Sequence, residues 1–355
     1  MENFGVTAAG IKCPIIREGD NIVEIVTNAV VENTWHPYKN RYALEDKDVI
    51  CVTESVIARS AGLYVSVDEI AEDVERIFGK NATIAVLDPI YSRNRFSMIL
   101  KGIARAAKKI LMRMPDFDEV GNPSGVNMFT GVDIKQYYGE ICKAENCELE
   151  AYTYGTDYKK IDGVIYCGLH DYEKWYQTNK LAHKYPSVTL AQLCADKNPD
   201  FGLLGTNKAT EERLKLFPTK KLATSVCEQI KKNILKRTGK SVIVCAYGDG
   251  CFKSLLGEIW ECADPTTMPG YTDADIIEST PNELKLKAFI DESKNDEELE
   301  KNLKMASEEK NLVGKMPAMG TTPRLYRDII ASLADLISGS GNRATPVVWL
   351  HKYFS

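Results

Sequence analysis

The sequence predicts a mixed α/β fold of the α+β type. Short apolar runs typical of buried strands alternate irregularly with stretches whose apolar residues fall at helical spacing, and such alternation favours mixed architectures. The chain has 355 residues, of which 44% are hydrophobic and 27% are charged. This length allows a large core and two domains, and the composition is ordinary for a globular protein.

The first half of the chain contains three apolar, β-branched runs. Residues 48–53, 63–67 and 83–87 are predicted as strands on this pattern. A short amphipathic helix, capped by Asp68, is expected directly after the second of them. Residues 92–114 carry apolar side chains at helical spacing and the densest basic charge of the chain, which predicts a basic helix.

The second half adds further strands and two helical segments. Residues 291–311 are dominated by Lys, Glu and Asp and are predicted to form an exposed helix. Thr321-Thr322-Pro323 is a typical helix start, and the helix that it opens is expected to stop at residues 338–342. The runs predicted as strands are 163–167, 242–247 and 345–350.

Composition excludes several classes of protein. The net charge of −5 argues against a general nucleic-acid binder, which needs clustered positive charge. The ten cysteines form no C-x-x-C pair, so a zinc site or a disulfide scaffold is not expected. Residues 1–10 lack the pattern of a signal peptide, and no run reaches the roughly 18 apolar residues of a membrane span. A cytoplasmic protein that does not associate with membranes is therefore expected.

The most informative motif is Gly248-Asp249-Gly250, which ends an apolar strand. Glycines permit a tight turn and a close approach of ligand, and the carboxyl ends of strands are where open α/β sheets bind ligands. Several further carboxylates, Asp273 among them, follow closely along the chain. Mg²⁺ commonly binds one or two carboxylates together with substrate phosphates. The pattern therefore predicts a metal ligand at Asp249, and an exposed acidic turn is the alternative.

Two segments are candidates for anion binding. Arg93 and Arg95 head the predicted helix after strand 83–87, where arginine suits carboxylate or phosphate recognition. The lysines of that segment are more typical of a solvated face. Lys208 follows the Gly205 turn, but the spacing of a P-loop is absent, and a capped helix start is the alternative for this segment.

Short blocks of the chain carry a resemblance to a known family: Gly10–Asp20, Val49–Gly62, Leu204–Asn207, Leu216–Pro218, Tyr247–Gly250, Gly270–Asp273 and Ser338–Arg343. In content and order they resemble the coenzyme F-420:L-glutamate ligase family, whose members add γ-linked glutamate to a deazaflavin cofactor with GTP and divalent metal. The chain is similar to a longer, divergent bacterial branch. It departs from the family at Arg59 (usually Lys), Asn207 (a metal-binding Asp), Gly250 (Thr) and Tyr271 (Gln).

The resemblance implies a set of site residues. A divalent cation, Mg²⁺ or Mn²⁺, would be held by Asp249, Asp273 and Asn207, and Asp249 and Arg59 would be catalytic. Apart from the resemblance, the residue pattern itself makes Arg93 and Arg95 candidates for binding a substrate carboxylate. The nucleotide, GTP or ATP, would contact the following residues: Pro14, Ile15, Ile16, Arg59, Gly205, Asn207, Lys208, Gly339, Gly341, Asn342 and Arg343.

The resemblance also implies an architecture and a reaction. Residues 1–65 and 201–355 would form a ligase-like core of γ-glutamyl-ligase-like fold, with residues 66–200 as a large insertion or second domain, in a homodimer. The expected reaction is nucleotide- and metal-dependent formation of a γ-glutamyl-type amide bond between glutamate and a small acid, through an acyl phosphate. The acid could be a deazaflavin, a pterin or folate, or another acid. The alternative is a family member that binds nucleotide or cofactor and has lost ligase activity.

Overall fold

The structure is a computed structural model that describes residues 5–34, 43–92, 95–119, 121–127, 130–153, 160–168, 180–249, 266–280, 283–307, 325–338 and 345–354. The chain folds into two compact units, one containing residues 1–16, 21–54 and 221–355 and the other residues 17–20 and 55–220. They are called unit 1 and unit 2. The predicted modules, 1–65 with 201–355 and 66–200, remain a prediction.

Unit 1 is built on a five-stranded mixed sheet flanked by helices. Its elements are β1 (Thr7–Ile11), α1 (Ile22–Thr34), β2 (Val49–Thr53), α7 (Lys220–Thr238), β11 (Ile243–Asp249), β12 (Thr266–Tyr271), a 3₁₀ turn (Ala274–Ile277), α8 (Glu283–Glu292), α9 (Asp296–Ser307), α10 (Tyr326–Ser338) and β13 (Val347–His351). The strand order is β1-β13-β2-β11-β12, and within it only β2 and β11 run parallel.

Unit 2 contains two sheets. Its elements are α2 (Glu54–Ser60), which begins at the boundary, β3 (Tyr64–Ser66), α3 (Val67–Phe78), β4 (Ala82–Leu87), α4 (Phe96–Ala106), β5 (Ala107–Arg113), α5 (Ile134–Ala144), β6 (Glu148–Tyr152), β7 (Gly163–Tyr166), α6 (Lys180–Lys184), β8 (Ser187–Thr189), β9 (Thr206–Lys208) and β10 (Arg213–Leu216). The order β6-β5-β4-β7-β8 gives an all-parallel sheet, and β3-β10-β9 gives a small antiparallel one.

The predicted mixed α/β class is confirmed, since both units combine helices with parallel or mixed sheets. Three helix predictions are corrected. The helix after the second predicted strand is capped by Ser66, and Asp68 lies in its first turn. The helix expected over residues 92–114 ends at Ala106, and residues 107–113 form a central strand of the parallel sheet. The capped helix start considered for the segment after Gly205 is absent from residues 205–218, where the chain instead forms the hairpin β9–β10. In the part of the chain that the structure describes, no helix is both long and apolar enough to cross a bilayer.

The centre of unit 1 is the parallel pair β2 and β11, whose residues are buried on both faces of the sheet. Val49 and Cys51 share one face with Ile243 and Cys245, and α10 covers that face with Ile330 and other apolar side chains. Runs of consecutive apolar residues are typical of strands that are buried on both sides. This rigid pair fixes the two chain segments that leave its carboxyl edge.

The amino edge of β2 is held by the buried carboxylate of Asp48. Asp48 Oδ2 accepts a hydrogen bond from Trp349 Nε1 at 2.8 Å, and Oδ1 accepts one from the backbone N–H of Lys352 at 3.0 Å. The ring nitrogen Nδ1 of His351 lies 3.0 Å from Oδ2. A buried carboxylate is stable when several donors surround it, as here. This cluster joins β2 to the end of β13.

Candidate functional site

The carboxyl edge of β2 and β11 brings two predicted features together. The strands run parallel with Thr53 opposite Tyr247, so Glu54 and Gly248 leave the sheet side by side. Carboxyl ends of adjacent parallel strands are the usual place for a ligand in open α/β sheets. This edge is called the carboxylate edge and comprises Glu54, Gly248 and Asp249.

Glu54 lies directly over the backbone of Gly248. The Glu54 side chain is 2% exposed, and a Cβ atom added at position 248 would lie 2.1 Å from Glu54 Cγ. No side chain can therefore stand at position 248 while Glu54 keeps its place. Glu54 was not among the candidates from sequence, although a carboxylate that directly follows a buried strand is a usable signal for such a residue.

Asp249 is the last residue of β11, at the strand end where the sequence predicts it. Its backbone pairs with Thr266 of the antiparallel strand β12. The pairing shifts register between Ala246 and Gly248, with one extra residue on the β12 side, where Pro269 lies. Proline and bulges belong on edge strands such as β12, and bulges are common beside active sites. The partner glycine, Gly250, lies outside the described residues.

Asp273, predicted to share a cation with Asp249, lies at the other end of the β11–β12 pair. Thr272 donates its backbone N–H to the carbonyl of Val244 at 3.0 Å, so Asp273 follows the amino end of β11. Val244 and Asp249 are about 17 Å apart along the strand at about 3.4 Å per residue. The structure thus does not bring the two aspartates together. Both carboxylate oxygens of Asp273 instead accept hydrogen bonds from Lys231 Nζ at 2.8 Å.

The interior next to the carboxylate edge is mostly apolar. Burial raises the pKa of the Tyr247 phenol, which is 1% exposed, so the phenol stays neutral. A hydrogen bond with Cys51 raises the pKa of the Cys245 thiol, and burial raises it further. These thiols are inert core groups. A charge at this edge therefore borders a medium of low polarity, in which electrostatic interactions are strong.

Unit 2, considered by itself, carries a polar surface on its three-stranded sheet. Lys215 of β10 lies directly opposite Asn207 of β9 on one side and Tyr64 of β3 on the other. Directly opposite residues project from the same face of a sheet. The other face of this sheet carries Leu214 and Leu216, which belong to the apolar core of unit 2. The face of Tyr64, Lys215 and Asn207, called the polar face, points away from that core.

Arg95, a predicted substrate-binding residue, lies beside this sheet. Its Nε donates a hydrogen bond to the backbone carbonyl of Thr206 at 3.0 Å, which brings it next to Asn207. The first backbone N–H groups of α4 already have hydrogen-bond acceptors. Phe96 N–H donates to Ser92 Oγ at 2.9 Å, and Ser97 N–H donates to Ser92 O at 3.1 Å. Anion binding by the α4 N-terminus itself is therefore not favoured, since those donors are occupied.

Gly205 and Lys208 have local structural explanations. A Cβ atom at Gly205 would lie 2.8 Å from Phe201 Cβ and 3.0 Å from the Phe217 ring, so two packed aromatic side chains require the glycine. Lys208 Nζ lies 2.6 Å from Glu211 Oε1 within the turn between β9 and β10. Lys208 stands opposite Leu214 and thus belongs to the face away from Lys215. Their assignment to nucleotide binding remains a prediction.

Three residues predicted to contact the nucleotide, Pro14, Ile15 and Ile16, lie in the connection between β1 and α1. The side chains of Pro14 and Ile15 are exposed, Ile15 to 73%, whereas Ile16 is 3% exposed and packs in the interior. Only the first two can therefore present a surface to a ligand. Arg59 has an exposed side chain in the last turn of α2, which leaves it accessible to an anion.

Five predicted site residues lie outside the described residues: Arg93, Gly339, Gly341, Asn342 and Arg343. Within the portion that is described, no cluster of three or more His, Cys, Asp or Glu side chains is placed to hold a metal ion. A cation bound mainly by phosphates and water needs only one or two protein carboxylates. Glu54 is the carboxylate whose side chain the structure describes at the carboxylate edge.

One comparison with known proteins identifies a relationship. The family model described as F420-0:Gamma-glutamyl ligase matches residues 10–352, which is nearly the whole chain and includes residues 66–200. No curated protein matches the chain.

Proposed function

The chain belongs to the F420-0:gamma-glutamyl ligase family and is a ligase by that membership, and from this premise we propose its reaction. It forms an amide bond of γ-glutamyl type between the amino group of glutamate and the carboxylate of a small acid, at the expense of GTP or ATP. The observation that carries the proposal is the carboxylate edge, where buried Glu54 packs on the Gly248–Asp249 strand end.

The reaction proceeds through an acyl phosphate. A carboxylate oxygen of the acid attacks the γ-phosphorus of the nucleotide, and the nucleoside diphosphate leaves. The amine nitrogen of glutamate then attacks the acyl carbon, loses a proton, and displaces inorganic phosphate. Positioning and charge stabilisation dominate such phosphoryl transfers.

The residues of the carboxylate edge fit a hard divalent cation. Oxygen donors are the ligands of Mg²⁺ and Mn²⁺, and Glu54 and Asp249 would hold the ion together with phosphate oxygens. The ion, when bound, neutralises phosphate charge. The apolar interior around Tyr247 and Cys245 excludes water from one side of the edge.

Cationic and apolar side chains of the chain would bind the remaining parts of the substrates. Arg59 has an exposed guanidinium that can contact a phosphate. Pro14 and Ile15 present exposed apolar surface that suits one face of a nucleotide base. Arg95 and Arg93 are proposed to contact the carboxylate of the acid. We also propose the homodimer, which light scattering after size-exclusion chromatography checks directly.

The test uses the full-length protein in two steps. The melting temperature is measured with GTP and ATP side by side, each with Mg²⁺ or Mn²⁺, because a bound nucleotide raises it by mass action. Release of nucleoside diphosphate is then measured with glutamate and with deazaflavin, pterin or folate acids. We expect release that requires both glutamate and one acid. Nucleotide binding without such release for any acid would instead favour a family member that has lost ligase activity.

A further inference from the structure

Two cysteines of unit 2 come together where helix α5 ends. The helix closes with a Schellman motif, in which Cys147 donates its backbone N–H to the carbonyl of Cys142 at 2.9 Å and Asn146 donates to that of Lys143 at 3.1 Å. Asn146 has the left-handed backbone that this motif requires, with a φ of 59°. The motif turns the chain back, so Cys147 lies next to Cys142 just before β6 begins.

The two thiols occupy the place where a Schellman motif commonly has an apolar contact. Cys142 is 0% and Cys147 5% exposed, and both belong to the apolar core of unit 2. A hydrogen bond from the Cys142 thiol lowers the pKa of the Cys147 thiol, although burial opposes this effect. Two small aliphatic side chains would serve packing equally well, whereas two thiols in contact add redox chemistry.

The backbone already holds the pair at the separation that a disulfide needs. The Cα atoms of a disulfide lie about 4.4–6.8 Å apart. Residues whose backbones are directly hydrogen-bonded, as in an antiparallel sheet, have Cα atoms about 5.5 Å apart. A bond between the sulfurs of Cys142 and Cys147 therefore requires rotation of the two side chains rather than movement of α5 or β6.

A small oxidant can reach this pair through the end of the helix. The two residues that flank Cys147, which are Asn146 and Glu148, are exposed, and so are Lys143 and Ala144 in the same turn. Helix ends open at low cost in free energy, because few buried contacts hold them. The pair is therefore covered mainly by a turn that opens readily.

Unit 1 contains a second pair of neighbouring thiols, which is far less accessible. Cys51 and Cys245 are directly opposite on the adjacent strands β2 and β11, and their thiols are hydrogen-bonded. Both are 0% exposed, and both strands are flanked by other strands on each side. To open this pair, two interior strands must separate, which requires close to global unfolding. The two pairs thus share contact between thiols and differ in access.

We propose that Cys142 and Cys147 form a modification site, which a peroxide oxidises reversibly to a disulfide. The Cys147 thiolate attacks one peroxide oxygen, the O–O bond breaks, and the other oxygen leaves as hydroxide and takes up the proton that Cys147 released. The Cys142 thiol then attacks the sulfur of the resulting sulfenic acid, the S–O bond breaks, and a second water leaves. Two electrons pass from the thiols to the peroxide, and a dithiol reductant reverses the change.

The disulfide would tie the end of α5 to the start of β6. Glu145, which lies between the two cysteines, accepts two hydrogen bonds from Arg105 of α4 at 2.9 Å, so the oxidised turn would also fix this contact. The inference goes beyond the proposed ligase reaction and does not depend on it.

The experiment follows both thiol pairs in the folded, full-length protein. The reduced protein is treated briefly with hydrogen peroxide, denatured in the presence of N-ethylmaleimide, and digested with trypsin for mass spectrometry. Trypsin cleaves after Lys143, so the peptides that contain Cys142 and Cys147 stay together only if a disulfide joins them. Cys51 and Cys245 are the matched control, since they are equally close to each other and less accessible.

We expect linked peptides of Cys142 and Cys147 to exceed those of Cys51 and Cys245 at least about tenfold, because reactivity follows access and thiolate character. Dithiothreitol should restore both thiols. In Cys142→Ala the sulfenic acid at Cys147 has no resolving thiol, so dimedone should label Cys147 in this variant and not in the unaltered protein.

Two results overturn the proposal. One is that the linked peptides of Cys142 and Cys147 are no more abundant than those of the control pair. The other is that Cys147 takes up no dimedone in Cys142→Ala when this variant melts at the same temperature as the unaltered protein. The first result is obtained without any variant, so it decides the question even if Cys142→Ala folds poorly.

Discussion

Glu54 occupies the volume that any side chain at position 248 would need. The two residues follow adjacent parallel strands, and Glu54 Cγ lies 2.1 Å from where a Cβ atom of residue 248 would stand. The glycine that precedes Asp249 is therefore explained by a neighbouring carboxylate rather than by backbone conformation alone. This relationship links the packing of the sheet to the proposed cation site.

Gly248→Ala should disturb both stability and activity. The added methyl group forces Glu54 to move, and overpacking of this kind costs about 1–3 kcal/mol of unfolding free energy. We expect a lower melting temperature and reduced glutamate-dependent release of nucleoside diphosphate. Gly139→Ala is the control, because a Cβ atom there meets nothing within 4 Å and the residue lies within α5. It should leave stability unchanged or raise it by up to about 1 kcal/mol.

Asp273→Asn should leave metal and nucleotide binding unchanged. Asp273 pairs with Lys231 at the end of β12 that is remote from Asp249. The pair is partly exposed, so its loss should cost less than about 1 kcal/mol. Calorimetry with Mg²⁺ and the non-hydrolysable imido analogues of GTP and ATP checks the affinity. A tenfold loss of affinity in Asp273→Asn, absent from the partly exposed neighbour Asp275→Asn, would instead identify Asp273 as a ligand.

Asp48→Ala should be strongly destabilising. The change leaves the donors of Trp349 and Lys352 without their buried acceptor, and His351 loses its carboxylate neighbour. Removal of a buried charged partner typically costs about 3–5 kcal/mol. Urea unfolding at neutral pH measures the loss. A cost below about 1 kcal/mol would mean that this cluster does not hold β2 to β13.

The capping box of α3 makes a pH-dependent contribution to stability. Ser66 Oγ accepts from the Glu69 N–H, and Glu69 accepts from the Ser66 N–H. The hydrogen bond from Lys197, followed by that from Ser66, lowers the pKa of Glu69 below its ordinary value of 4.5. A lowered folded-state pKa gives stability that is present above 4.5 and is lost as the pH falls through the folded value.

Glu69→Gln should therefore make the free energy of unfolding less dependent on pH in the acid range. The free energy of unfolding, measured in urea at neutral pH and again below pH 4, should differ less between the two conditions in this variant than in the unaltered protein. Glu72→Gln makes the same chemical change at an exposed position of the same helix and should behave like the unaltered protein. If acidification lowers the free energy of unfolding equally in Glu69→Gln and in the unaltered protein, the pH-dependent role of Glu69 is contradicted.

The strands that the sequence predicts best are those with continuous apolar runs. Residues 48–53, 83–87, 163–167, 242–247 and 345–350 all correspond to observed strands, because burial on both faces leaves an unmistakable pattern. The apolar run at residues 107–113 is also a buried strand, but the sequence pattern predicts it as part of a helix. A short apolar run that follows a helix has no period that separates a buried strand from a helical continuation.

The candidate site could be predicted only in part. Asp249 stands at a strand end as expected, since a glycine pair after an apolar run marks that end. Glu54 was missed because its role depends on which strand lies next to β11. Asp273 was associated with Asp249 through the family resemblance, but the antiparallel return of β12 carries it to the opposite end of the pair. Strand order and register depend on tertiary packing and are not encoded in local pattern.

The most direct test is glutamate-dependent release of nucleoside diphosphate as a function of Mg²⁺ concentration. It is measured in the unaltered protein, in Glu54→Gln, and in Glu228→Gln as an exposed control on α7. If the carboxylate edge holds the cation, Glu54→Gln releases no product or needs at least about tenfold more Mg²⁺, since a carboxylate ligand is lost. If Glu54→Gln shows the same turnover and the same Mg²⁺ dependence as Glu228→Gln, the edge is not the metal site.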